Sequence, residues 1–65
     1  MKIEEEIMEC LAEFDENEYC SAEVLYSNAK RIKLAIINNV SDVQFRNEVL
    51  SLANVIYNEK LEGLK

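Results

Sequence analysis

The chain has 65 residues, 49% of them hydrophobic and 31% charged, with one glycine, two cysteines and neither proline nor histidine. That length fits one domain with a small core, and the missing histidine removes the Ser-His-Asp and Cys-His nucleophile sets and the usual zinc arrangements. A net charge of −6 argues against the phosphate backbone of nucleic acid as a direct partner.

Met1-Lys2 leads into Glu4-Glu5-Glu6 instead of the apolar run of a secretion signal. No apolar stretch approaches the roughly 20 residues of a membrane span. The expectation is a cytoplasmic protein with reduced thiols, bound to no membrane.

In chain order, Ile3, Ile7, Cys10 and Phe14 step four, three, four, with Met8 and Leu11 beside them. This is the apolar stripe of a first amphipathic helix over residues 2–14. Its early glutamates suit the positive end of the helix dipole. Asp15-Glu16-Asn17-Glu18 then gathers like charges and weak helix formers. Ser21 is the next N-cap candidate, opening a second helix over residues 21–38 on the stripe Leu25, Ala29, Ile32, Ile36. Val24, Tyr26, Leu34, Ala35 and Ile37 surround that stripe, as expected of a central helix. Asn38-Asn39 tolerate left-handed backbone and read as its end.

The third helix, residues 42–62, carries Phe45, Val49, Leu52 and Ile56 on one face and Asn47, Ser51, Asn54 and Asn58 on the other. Ser41 with Gln44 makes a capping-box pattern, and Gly63 stands where a left-handed C-terminal turn is common. Val43, Leu50, Ala53 and Tyr57 widen the apolar face on one side and Val55 on the other. The arc is roughly 200° wide, whereas one packed face needs about 100°. The excess implies a second partner. Val43, Phe45, Val49, Leu50, Leu52, Val55, Ile56 and Tyr57 are therefore the candidate self-association residues, and a homodimer is the expected state.

The fold class is all-α, a small three-helix bundle or a helical hairpin that dimerises into a larger bundle. The choice turns on residues 2–38. In steps of 3.6 the first stripe runs in phase into Leu25 with neither glycine nor proline between, so one long helix fits the pattern too. Three helices are preferred.

Charge is segregated. Before Lys30 every charged residue except Lys2 is an acid, while Lys30, Arg31, Lys33, Arg46, Lys60 and Lys65 lie in the second half. One use of an acidic helix is to keep a protein soluble. The sharper expectation is that Glu5, Glu6, Glu9, Glu13 and Glu16 form a surface for a protein partner with a basic groove, one built for nucleic acid included, since a row of carboxylates speeds association by long-range attraction. Acidic-to-basic contact between subunits is a third use. Lys30-Arg31-x-Lys33 is expected to pair with the first helix. Cys10, on the apolar stripe, is expected to be buried, and Cys20, at a junction, exposed. Tyr19, Tyr26 and Tyr57 suit half-buried contacts.

Asn58-Glu59-Lys60-Leu61-Glu62-Gly63-Leu64 resembles the inhibitory helix of antitoxins that restrain Fic-type adenylylating enzymes. That family shows Ser or Thr, three residues, then Glu-Gly, often between leucines; here Asn58 stands at the Ser or Thr position. The resemblance implies that Glu62 pairs with an arginine of the enzyme's nucleotide site and blocks a productive ATP pose.

No glycine-rich phosphate loop and no Cys-x-x-Cys is present. The expectation is a non-enzymatic interaction module without cofactor or metal, a regulator or inhibitor of bacterial or phage type that occludes a partner protein. A structural accessory protein within a larger assembly is the alternative, beside the Fic-type reading through Glu62.

Overall fold

In the computed structural model, which describes residues 2–65, the chain forms three helices: α1 Lys2–Glu16, α2 Ala22–Asn39 and α3 Val43–Gly63. The single-long-helix alternative falls here, because the chain leaves helical geometry over residues 17–21. Both connections are short, so neighbouring helices run antiparallel and α1 lies alongside α3 in the same direction. The bundle measures 36 × 16 × 15 Å, close to the roughly 30 Å length of its longest helix at 1.5 Å per residue.

Each helix gives one narrow row to the interior. Ile7, Leu11 and Phe14 come from α1, Leu25, Ala29 and Ile36 from α2, and Val49, Ala53 and Ile56 from α3, with Val40 of the second connection closing one end. The α2 row follows the stripe that helical spacing predicts; on α1 the flanking Leu11 is buried where Cys10 is exposed, and on α3 the flanking Ala53 is buried where Leu52 is exposed. Ala29 and Ala53 sit at 2% and 0% exposure on the two antiparallel helices. Small side chains at a helix crossing let the backbones approach, and α2 and α3 pack against each other more extensively than either does against α1. Tyr19, Ile32, Phe45, Leu50, Tyr57 and Leu61 pack around this core without being fully covered.

The helix ends show where local chemistry overrides the sequence pattern. Ser21 caps α2 as its position predicts, its hydroxyl accepting from the Val24 N–H at 3.3 Å. For α3 the capping box at Ser41 is not used. Asp42 is the N-cap instead, its carboxylate accepting from the Phe45 N–H at 2.9 Å. A full negative charge at the positive end of a helix outcompetes a hydroxyl one residue earlier. The expected left-handed turns are absent too: among the described residues none, Gly63 included, has positive φ. α2 ends when Val40 turns extended and drops into the core, its N–H still donating to Ile36 O, while Asn39 Nδ2 donates to Ala35 O at 2.8 Å. α3 ends in a right-handed turn at Leu64, whose N–H donates to the Glu62 and Leu61 carbonyls. Nothing lies within 4 Å of where a Gly63 Cβ would stand, so no feature of this turn requires glycine.

The first connection is tied down from the far end of the chain. Lys60 Nζ donates to Asn17 O at 2.8 Å and sits 5.9 Å above the Tyr19 ring, and Tyr19 in turn packs on Phe14 with ring centroids 5.6 Å apart. One α3 lysine thereby fixes the turn that follows α1.

Asp42→Ala should lower stability by about 1 kcal/mol, or a Tm drop of about 4–8 °C for a domain of this size, whereas Ser41→Ala should stay within about 0.5 kcal/mol. Thermal melts followed by circular dichroism separate the two caps. At the alanine crossing, Ala53→Leu should be destabilising by about 1–3 kcal/mol through overpacking, measured by urea denaturation.

Candidate functional site

The five glutamates expected to form a partner surface are all exposed and share the outward side of α1. At about 100° per residue, Glu5, Glu16, Glu9, Glu13 and Glu6 fall in that order across an arc of about 100°, opposite the buried row. Lys2 stands at the N-terminal edge of this ridge. Steps of four residues, as from Glu5 to Glu9 to Glu13, repeat about every 6 Å along the axis. The one ion pair among the described residues is Lys65–Glu62, at 3.3 Å and at the surface. Among the described residues no cation therefore neutralises the ridge by direct pairing.

Lys30, Arg31 and Lys33 do not pair with α1 as expected. The helix turns Arg31 toward α1 and the two lysines toward α3. Arg31 Nη2 donates to Asn28 Oδ1 at 2.7 Å, and Lys33 lies 5.9 Å from the centroid of the Tyr57 ring.

The eight proposed self-association residues separate into three groups. Val49 and Ile56 belong to the chain's own core and are closed to a second chain, a correction to the sequence reading: the stripe's centre is consumed inside one molecule. Phe45, Leu50 and Tyr57 are half-buried against that core. Val43, Leu52 and Val55 are exposed. The wide apolar arc of α3 thus emerges as two separate margins, one beside each neighbouring helix.

Those margins continue onto the other helices. Met8, Tyr26, Leu34, Ile37, Val43, Leu52 and Val55 are each 39–57% exposed. Between α1 and α3 the open groove is lined by Met8, Ala12, Phe45, Leu52 and Val55 with Glu4, Glu5, Glu9, Asp15 and Glu59; among the described residues no cation lines it. Between α2 and α3 a smaller hollow of about 140 Å³ is lined by Tyr26, Ala29, Lys30, Lys33, Leu34 and Tyr57; no acid lines it. Tyr26 and Tyr57 meet edge-on across this hollow with centroids 6.4 Å apart. Sequence reading missed this division. The signal was present: Tyr26, Lys30, Lys33 and Ile37 step four, three, four, as do Glu48, Leu52, Val55 and Glu59, but neither stripe is uniformly apolar.

The third groove, between α1 and α2, is a cleft of about 310 Å³ holding Cys10, Glu13, Asn17, Tyr19, Asn28 and Arg31. Glu13 is the only carboxylate lining it, so it offers no carboxylate pair for acid–base work. Cys10 is exposed there, against expectation, and Cys20 is exposed as well: Cys10 lies on the margin of the α1 stripe, where the short α1–α2 contact leaves it uncovered. Among the described residues no three of His, Cys, Asp and Glu gather to hold a metal ion. Glu62 is exposed in the last turn of α3, its carboxylate held by Lys65 alone. Among the described residues no helix is long and apolar enough to cross a membrane. No protein-family model, curated protein or solved structure matches the chain.

With both thiols at the surface, the native protein should release two equivalents of thionitrobenzoate from a disulfide reagent at once, without denaturant. A single fast equivalent would mean that Cys10 is covered.

Proposed function

We propose that this chain is a non-enzymatic protein-interaction module, self-associated as a homodimer, that regulates or inhibits a partner protein by covering a basic surface on it. The observation that carries this reading is the α1 ridge. Glu5, Glu6, Glu9, Glu13 and Glu16 project from one helix, all exposed and without an ion pair among the described residues. Like charges four residues apart destabilise a helix by roughly 0.2–0.5 kcal/mol per pair. A partner's cations would offset that repulsion, so the ridge is better matched to a basic groove than to solvent alone. Helical backbone keeps the carboxylates in register before contact, which reduces the ordering cost of binding.

The ridge draws a basic partner in and sets its register, while apolar contact sets how long the complex lasts. Occlusion needs no chemistry from this chain. A bundle 36 Å long can lie along a groove and exclude the groove's own ligand. The self-association half of the reading is supported by apolar side chains left exposed on two margins of α3.

Glu9→Lys/Glu13→Lys should reduce capture of the partner from source-cell extract about tenfold or more at low ionic strength, with the gap closing as salt rises. Undiminished capture by the double variant would leave the ridge as a solubilising surface and overturn the reading.

A further inference from the structure

We infer that the self-association runs between unlike faces: the acid-rimmed α1/α3 groove of one copy docks on the base-rimmed α2/α3 face of another. This rests on the self-association in the proposed function and specifies its geometry.

The two faces have similar form and opposite charge. The first exposes Met8, Leu52 and Val55 among Glu4, Glu5, Glu9, Asp15 and Glu59. Glu48 extends it, being one turn before Leu52 on the same stripe. The second exposes Tyr26, Leu34, Ile37 and Val43 beside Lys30 and Lys33. Arg46 lies one turn after Val43 on that side of α3, and Glu23 stands near the far end, one turn before Tyr26. Two copies of the acidic face, or two of the basic face, would place like charges together around their apolar centres, which opposes association. Acidic against basic buries the same apolar residues and pairs the rims. The third groove mixes Glu13 with Arg31 and leaves fewer large apolar side chains exposed, so it has no such complement.

A second copy also accounts for why the cations stay unpaired within the chain. Lys30 and Lys33 sit on the side of α2 away from α1, where no acid of their own molecule lines the hollow. The acids that match them are on a face this molecule cannot fold onto itself. Nucleic acid on the basic face is disfavoured, because three cations there compete with a net charge of −6. Unlike faces leave two geometries open to the same contact, a closed pair in which each copy uses both faces, or a head-to-tail array.

The experiment uses two charge-swapped chains, Val55→Lys/Glu59→Lys on the acidic face and Ile37→Glu/Lys30→Glu on the basic face. All four positions are exposed, and far-UV circular dichroism with a thermal melt checks each fold. In sedimentation velocity the wild type should associate in the micromolar range, more weakly at high salt. Each swapped chain alone should be monomeric at concentrations at least tenfold higher. Their equimolar mixture should associate again, because each retains the face the other needs. If either swapped chain alone associates like the wild type, the contact is same-face: the unlike-face pairing is overturned while self-association stands. A wild type that is monomeric at every concentration and salt overturns both the pairing and self-association, and leaves the α1 ridge to its own test.

Discussion

Everything outside the core depends on the meeting of α2 and α3 over two alanines. Ala29 and Ala53 are both buried, and small side chains there favour close approach of these two helices, which pack against each other more extensively than either does against α1. A tight seam consumes little apolar surface. Larger residues flanking the rows, Tyr26 and Ile37 on α2 and Val43 and Val55 on α3, are pushed to the margins, where α1 is too short and too narrow to cover both sides. The exposed apolar margins are thus a geometric result of the close crossing and not a failure to fold.

Periodicity made the interior legible. The row through Leu25 follows from spacing alone, because a helix must bury one face and the residues three and four apart on it are the apolar ones; on α1 and α3 spacing gave the face but missed its centre by one residue, since Leu11 and Ala53 are buried in place of Cys10 and Leu52. The same reasoning overcounted on α3. Val49 and Ile56 satisfy their own molecule, and only the edges of the arc remain for another. One sequence cannot say how wide a stripe its neighbours will cover, since that depends on the crossing distance. The α1 ridge was legible because acids repeat on a face opposite the apolar one. The split of Lys30 and Lys33 from Arg31 was also implied by helical spacing, but which neighbour lies on which side is a fact of three-dimensional packing. The helix ends misled most: Ser41 and Asp42 are both good caps in sequence, and the full charge of Asp42 at the positive end of α3 selects between them.

Charge and packing divide the molecule consistently. The acids collect on α1 and on the α3 margin beside it; cations collect on the α2 side. The partition keeps most opposite charges apart inside one chain, which is why so little of the surface is neutralised by ion pairing. It gives the bundle a directional field across its width. Such a field acts at a distance of about one Debye length, roughly 8–10 Å at physiological salt, and so orients an approaching body before any apolar contact is made.

α1 is the least extensively packed of the three helices, and the turn behind it is moored by Lys60 on Asn17 and Tyr19. Any strain on α1 is therefore passed to a lysine five residues from the chain's last residue, so the tail of α3 acts as the latch on the fold's least anchored limb.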